Sequence, residues 1–567
     1  MPAEKELPLT RPLASRTDLW FWVLLILGNG LLFTPRWIFI RPSGDFSSNL
    51  EFTLTVILLV GAGWNWRRGM RSIFWVFFLL FFYAAIIYKS YAGALQGIYQ
   101  LEPNFYNDIP FIANGLPFLL SSLDVPRSAY IAFLIGMLLL FVFIGYMTYT
   151  LFVHRVETVG RLTSMLMISL GAVFLLYGGA SLKLNAKLPN GVDSLGNEIN
   201  LNFRASRVSQ ENVDTFLAQD PYATYDYVQY SLAETPNIYL LFFESYGSVL
   251  NSRDEFMPAY KEILREFEAQ LGEDGWHAAS ALSLAPTWGG GSWMSYTSTL
   301  FGVNVSEQSE YLALRDTYQN IPYPNMGRYF HTQGYEFVWV VPINRELPEK
   351  YQAADYAFYG ADRWVTYNAL NYDGPLYGWG PSPPDQYTLG FIHDLVQETE
   401  QPTFIFYLNQ DSHYPWIPLP ERVENWQSLA NSAEEGGSLS IEENREVSVF
   451  DARQNYTNAI AHSFQNLADF ITHLDDPNAV IILIGDHQPP TVSRRDDGFA
   501  TMLHIISRDE GLLENFKAYG FEDGFALFNA EAKFAHEGFY SLFVRNFLAR
   551  YGSQSKNLPP YLAQGLN

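Results

Sequence analysis

Two apolar runs in this 567-residue chain end in groups able to hold a metal ion. Residues 480–484 lead into Gly485-Asp486-His487, and residues 238–243 lead into Glu244-Ser245-Tyr246-Gly247. A short apolar run closed by turn formers reads as a buried strand of a parallel sheet. In open α/β sheets, ligands bind beyond the carboxyl ends of the strands. Two strand tips that deliver two carboxylates and an imidazole therefore make a metal site of Glu244, Asp486 and His487. A third stretch runs from Thr287 through Gly289-Gly290-Gly291 to Ser292, and its apolar-periodic continuation closes at Gly302. It reads as a loop entering a helix N-terminus, where unpaired N–H groups and the helix dipole favour an anion. A hydroxyl at that place, beside a divalent cation, can be ionised and attack phosphorus or sulfur. A serine there is by itself equally an N-cap; the carboxylate–imidazole tips turn the reading towards a nucleophile.

The elements that must position these groups follow from the alternation of patterns. From residue 235 onward, strand-like runs at 238–243, 337–341, 404–408 and 480–484 alternate with helical patterns at 255–270 and 455–473. Such alternation predicts a mainly parallel sheet with helices on both faces. The stretch 182–234 is polar and lacks a clear period, so it reads as a connector into an outer domain spanning 235–567.

The first 181 residues are of another kind. Apolar segments at about 18–36, 50–66, 73–89, 130–152 and 163–181 are each near the ~20 residues needed to cross a bilayer, which predicts five transmembrane helices. With the N-terminus inside, the inner segments hold Lys5, Arg11, Arg16, Arg67, Arg68, Arg71, Arg155 and Arg161; the outer ones hold Arg36, Arg41, Lys89 and Arg127. That asymmetry sets the N-terminus inside, and an odd number of spans puts the outer domain across the membrane from the cytoplasm. The outer loop 92–128 is aromatic and rich in Pro and Gly, and reads as short amphipathic pieces that either pack beneath the outer domain or meet a lipid substrate.

Composition excludes several functions. Residues 1–180 carry 12 basic and 9 acidic residues, leaving 23 basic and 50 acidic residues for the remainder. An acidic outer domain argues against a nucleic-acid partner, which needs a basic footprint. The chain has no cysteine, which excludes thiolate catalysis, Cys-ligated zinc and disulfides.

Five spans, then an α/β domain carrying Phe243-Glu244-Ser-Tyr-Gly247, a hydroxyl at a helix start, Ser412-His413-Tyr-Pro415 and Gly485-Asp486-His487, resemble one family over essentially the whole chain. It is the lipoteichoic acid synthase-like, phosphoglycerol transferase branch of the alkaline phosphatase–sulfatase superfamily. The resemblance implies one divalent cation held by Glu244, Asp486 and His487, with the nucleophile as a further ligand. An oxygen and nitrogen donor set suits Mn²⁺ or Mg²⁺, with Zn²⁺ chemically possible. The resemblance also implies that His413 faces the substrate phosphate, as hydrogen-bond donor or as acid to the leaving group. Arg345 falls where such enzymes place an arginine near the donor head group, and Arg363-Trp364 competes for that role.

Two candidates compete for nucleophile. The family usually has threonine, which Thr287 supplies; counting back about ten residues from the closing Gly302 favours Ser292. The Pro-Ser-Arg of the sulfatase nucleophile motif and its paired aspartates on the first strand are missing, which weakens a sulfate-ester hydrolase. The resemblance therefore implies a transferase in a bacterial cell (inner) membrane, with its catalytic domain on the extracytoplasmic side. It would take a phosphoglycerol or phosphoethanolamine group from a membrane phospholipid and pass it to an envelope glycan or glycolipid through a Ser/Thr phospho-enzyme. A phosphodiesterase- or sulfatase-type hydrolase, or a silent lipid-binding protein of the same fold, are the alternatives.

Overall fold

The computed structural model describes residues 12–39, 48–62, 68–122, 127–155, 158–184, 192–343, 349–378, 380–431, 449–528, 530–554 and 557–566. Arg345 lies outside them. The chain forms two compact units: Met1–Phe105 with Val125–Val208, and Tyr106–Asp124 with Ser209–Asn567.

The first unit is helical. Its apolar helices are α1 (Asp18–Phe39), α2 (Leu50–Ala62), α3 (Arg68–Ala94), and two that follow helix α4 (Phe105–Ser122), namely α5 (Arg127–Tyr149) and α6 (Arg161–Leu184). Among the described residues, three stretches are long and apolar enough to cross a membrane: Asp18–Pro35, Met70–Gly97 and Ser128–Arg155. The apolar stretches Leu50–Val60 and Arg161–Val173 are shorter. Phe52, Phe78, Phe82 and Phe152 form the aromatic centre of this unit's core. The polar stretch read as a connector contains a 23-residue helix, α7 (Leu195–Leu217). Its N-terminus is tied down by Glu51, whose carboxylate accepts from the backbone N–H groups of Leu195 and Gly196. The sequence hid this helix because polar residues dominate it and the bonds that fix its start come from a residue more than 140 positions away.

The second unit is built on a nine-stranded sheet. Its strands are β1 (Ile238–Phe243), β2 (His277–Leu284), β3 (Glu336–Val341), β4 (Arg363–Thr366), β5 (Thr403–Leu408), β6 (Val480–Gly485), β7 (Ala500–Ser507), β8 (Glu522–Asp523) and β9 (Phe534–Ala535). They lie in the order β8-β2-β7-β6-β1-β5-β3-β4, with β9 beside β2. The sheet is mixed. It is parallel from β6 to β4, and β7 turns antiparallel to β6 and to β2.

All six residues of β1 and of β6 are buried, as expected for strands covered on both faces. Side chains alternate between the two faces. Tyr239, Leu241, Ile481 and Leu483 pack under α8 (Met257–Glu273), α10 (Asp385–Glu398) and α11 (Val449–Thr472). Leu240, Phe242, Ile482 and Ile484 face the opposite core, with residues of α9 (Ser292–Phe301) and α12 (Phe539–Tyr551). β1 therefore sits at the centre of the sheet with β5 and β6 on either side, and the loops leaving these three strands emerge together.

Candidate active site

The register pairs Phe243 with Gly485, so the residues that follow, Glu244 and Asp486, leave adjacent strands at the same height. Two glycines let the turns approach. A Cβ on Gly485 would lie 2.1 Å from the Tyr246 carbonyl oxygen, and one on Gly247 would lie 2.1 Å from Oε1 of Gln488. Each strand tip thus needs glycine to let the other tip pass. Buried His536 closes the underside of β6, with Nε2 3.0 Å from the Gly485 carbonyl and Nδ1 2.8 Å from Ser283 Oγ.

Glu244, Asp486 and His487 are buried, and one donor atom from each lies within 4.8 Å of the others. Nε2 of His487 is 3.2 Å from Asp486 Oδ2 and 3.5 Å from Glu244 Oε1. These separations suit neighbouring ligands at about 2.1 Å from one small cation. Outer contacts orient each donor. Oδ1 of Asp486 accepts from the backbone N–H groups of Ser245 (2.8 Å) and His487 (2.7 Å), while its buried Oδ2 has no hydrogen-bond partner among the described residues. Nδ1–H of His487 donates to the Gln488 carbonyl at 3.0 Å, which leaves the Nε2 lone pair for a ligand bond. Oε1 of Glu244 accepts from Ser245 Oγ at 3.0 Å.

A buried oxygen without a donor, beside a second carboxylate, calls for a positive charge. Burial and then the Glu244 carboxylate push Asp486 up to about 7. Burial pulls His487 down, but the Asp486 and Glu244 carboxylates carry it above its ordinary value. The donor set fits a divalent cation.

Ser292 is the first residue of α9. Gly289, Gly290 and Gly291 precede it with φ of 70°, 150° and 83°, a left-handed path open to glycine at little cost. Oγ of Ser292 donates to Glu244 Oε2 at 3.1 Å and lies 3.4 Å from His487 Nε2. One turn on, Ser295 Oγ donates to the Asp486 carbonyl at 2.5 Å and fixes the helix start against the β6 tip. Thr287 is placed differently. Its Oγ1 lies 3.3 Å from Ser295 Oγ, and the structure does not bring it into hydrogen-bond contact with the three metal-site side chains.

His413 lies on the loop after β5, which is laced to the first strand tip. Asn409 Oδ1 accepts from the Glu244 N–H at 2.7 Å, and Ser412 Oγ donates to the Glu244 carbonyl at 2.8 Å. The His413 ring is near enough to feel the charges of His487 and Asp486, and burial is the main cause that lowers its pKa. Its Nδ1–H donates to the Tyr414 carbonyl at 2.7 Å, so the neutral ring carries its free lone pair on Nε2.

Below this loop lies a support that residue types alone did not reveal. Asp385 accepts from Tyr407 OH (2.6 Å) and from the backbone N–H groups of Gln410 (2.7 Å) and Asp411 (3.0 Å). Oδ2 of Asp411 lies 3.2 Å from His462 Nε2 and accepts from Asn466 Nδ2 at 3.2 Å. The short spacing of Asp411 to His413 was the one available signal.

Arg363 and Trp364 stand apart from the Glu244–Asp486–His487 cluster. Arg363 opens β4 and pairs with Glu336, the first residue of β3, at 2.8 Å. Glu336 is level with Thr403 at the start of β5, so this ion pair lies at the opposite end of the strands from Glu244, about 20 Å away at ~3.3 Å per residue. Trp364 stacks on Tyr356 and Trp339 at the sheet edge.

Residues 278–551 match the model of the Sulfatase family, and with the fold above they define a sulfatase-like α/β domain. Among solved structures the chain is similar to the lipoteichoic acid synthase LtaP from Listeria monocytogenes, at 14% identity over 51% of this chain and 71% of that one, with a TM-score of 0.35. It is similar to the C-terminal periplasmic domain of EcEptC from Escherichia coli, at 13% identity over 59% and 90% of the two chains, TM-score 0.37. It is also similar to Streptococcus pyogenes phosphoglycerol transferase GacH, at 16% identity over 62% and 89%, TM-score 0.34. Scores at this level carry no argument beyond the family match and the observed sheet. No curated protein matches the chain.

Proposed function

We propose that this protein is a metal-dependent phosphotransferase of a bacterial cell (inner) membrane, carried by five spans within residues 1–181. In this reading residues 182–234 connect to an extracytoplasmic catalytic domain at 235–567. The reaction moves a phosphoglycerol, or phosphoethanolamine, group from a membrane phospholipid to a glycan or glycolipid of the envelope. The observation that carries it is the placement of Ser292 Oγ, at a helix N-terminus and 3.1 Å from Glu244, within the buried Glu244–Asp486–His487 cluster.

Glu244, Asp486 and His487 would hold Mn²⁺, Mg²⁺ or Zn²⁺, which when bound supplies Lewis-acid stabilisation of the transferring group. Ser292 points its hydrogen at Glu244 Oε2, which leaves an oxygen lone pair for the phosphorus. The new Oγ–P bond forms as the bond from phosphorus to the diacylglycerol oxygen breaks, and the serine proton ends on that oxygen. The N–H groups at the start of α9 face the phosphoryl oxygens. In the second half-reaction an acceptor hydroxyl attacks the same phosphorus. His413, neutral and with Nε2 bare, takes the proton of that hydroxyl; Ser292 Oγ leaves as the Oγ–P bond breaks and takes up a proton from solvent, and His413 releases its proton to solvent, which restores both groups.

The test is peptide mass spectrometry of the full chain incubated with Mn²⁺ and phosphatidylglycerol or phosphatidylethanolamine. An adduct on Ser292, with diacylglycerol released, is expected, and its mass names the head group. Diacylglycerol with steady release of free head-group phosphate would make the protein a hydrolase. No diacylglycerol from either lipid would overturn the reading.

A further inference from the structure

The loop that leaves β5 carries Gln410 and Asp411 just ahead of His413. With Tyr377, Trp416 and Pro418 these three residues line one cleft. His413 belongs to the cleft and to the active site at once, since its ring also feels the charges of His487 and Asp486. Asp411 is 6% exposed, and its two oxygens are treated differently. Oδ2 accepts from the Asp385 N–H and from Asn466 Nδ2, each at 3.2 Å, and lies 3.2 Å from His462 Nε2. Oδ1 has no hydrogen-bond partner among the described residues. Buried Gln410 donates from Nε2 to the Leu408 carbonyl at 2.9 Å. A carbonyl can only accept, so the amide is fixed one way round, and its Oε1 is likewise without a partner among the described residues. His413 adds its bare Nε2.

Three acceptors thus meet at one cleft, and a buried carboxylate oxygen without a donor calls for one. The cleft holds about 210 Å³ with its open mouth counted. That is below the ~300 Å³ at which drug-sized pockets begin, so it suits a small polyol or one edge of a sugar ring, and no acyl chain. We propose that this cleft seats the acceptor and reads a vicinal diol: one hydroxyl faces His413 Nε2 and attacks, while its neighbour donates to Asp411 Oδ1, with Gln410 Oε1 beside it for a third. As the attacking oxygen bonds to phosphorus, its proton passes to His413. The Oγ–P bond of Ser292 breaks, Oγ takes a proton from solvent, and the second hydroxyl stays whole. This rests on the proposed function and deepens it by naming the acceptor's chemistry, hydroxyls on adjacent carbons, which a sugar ring and an open polyol both present. Asp411 and Gln410 determine specificity.

The experiment uses the full chain with Mn²⁺ in nanodiscs holding phosphatidylglycerol and phosphatidylethanolamine. Mass spectrometry follows transfer of the head-group phosphate to methyl β-glucopyranoside, to glycerol and to n-propanol, alongside diacylglycerol release. Wild type is expected to prefer the better diol over n-propanol by about tenfold or more in kcat/KM, the scale of one hydrogen bond to a charged group. In Asp411→Asn the donors on Oδ2 hold the amide oxygen, so the NH₂ group turns to the cleft and a donor replaces an acceptor. Gln410→Leu removes the neighbouring acceptor. Each variant lowers the preference about tenfold, and because the ratio is read within one protein, a general loss of activity does not enter it. The glucoside above glycerol in wild type assigns a ring against Tyr377 and Trp416; glycerol above the glucoside assigns an open polyol. A preference unchanged in both variants overturns the cleft, as does wild-type transfer to all three acceptors alike with diacylglycerol released. No diacylglycerol from either lipid overturns the proposed function itself, and the acceptor cleft with it.

Discussion

Ser292 Oγ and Glu244 Oε2 stand 3.1 Å apart although 48 residues separate them in the chain, and both are held by other contacts. Glu244 is fixed by the loop after β5 and Ser292 by the start of α9. A hydroxyl so placed is ready to act as a nucleophile without moving its backbone. Ser292→Ala is expected to abolish the covalent adduct and lower turnover by about 10⁴-fold or more. Thr287→Ala keeps the adduct and costs about 1 kcal/mol of stability, because its side chain is buried. Adduct mapping decides; a modified Thr287 in the Ser292→Ala protein would return the threonine to candidacy.

Metal content is the second prediction. The wild-type chain is expected to bind about one divalent ion with a gain of about 3 kcal/mol in stability at a hundredfold excess over Kd. Asp486→Asn loses that gain. In chelator-treated protein the same variant melts higher than wild type, because it removes one of two buried carboxylates facing each other. Elemental analysis and thermal melts with and without Mn²⁺ test both arms, and an equal metal-induced shift in the two proteins would exclude Asp486 as a ligand.

His413 sets an acid limb. Burial lowers its pKa, so the neutral ring with Nε2 free persists below the ordinary histidine value of about 6.5. In the metal-loaded enzyme, kcat for transfer to the acceptor is expected to fall only at more acid pH than that. His413→Gln lowers the plateau by about 10²–10⁴-fold and removes the limb. A limb at the same pH in the variant would assign it to another group.

The Asp385–Asp411 pair predicts how stability varies with pH. Burial and the neighbouring Asp411 carboxylate push Asp385 up to about 7. A carboxyl whose folded pKa is raised binds a proton in the folded state that the unfolded chain has lost. Its contribution is full below the unfolded value near 3.9 and is lost as pH rises towards 7, at most by about 1.4 kcal/mol per pH unit. The groups facing it are the Tyr407 hydroxyl, two backbone N–H groups and Asp411, which in turn meets His462 and Asn466. Asp385→Asn removes this slope, so its stability relative to wild type rises between pH 5 and pH 8. Parallel stability curves for the two proteins would contradict the shift.

What could be read in advance depended on how local each signal was. β1 and β6 are legible because a six-residue apolar run ending in an acid and a nearby glycine can hardly be anything but a covered strand with a tight exit. Asp486 and His487 were legible for the same reason. The support under His413 was not, since Asp385 and His462 come from two helices that look like ordinary amphipathic segments. The position of Arg363 was not legible either, because a basic–aromatic pair carries no mark of which end of a strand it occupies. The docking of α4 was illegible because Phe111 and Trp293 lie 182 positions apart and the ring pair leaves no periodic trace.

That last arrangement bears on how the molecule is made. Tyr106–Asp124 leaves the ribosome before two apolar helices, and Ser209–Asn567 after them, yet both segments belong to one compact unit. The unit that carries the nine-stranded sheet is therefore finished by a docking event that must wait for those helices to be synthesised and cleared away. A fragment that starts at Ser209 carries Glu244, Ser292, Asp486 and His487 but is born without Phe111 against the Trp293 ring.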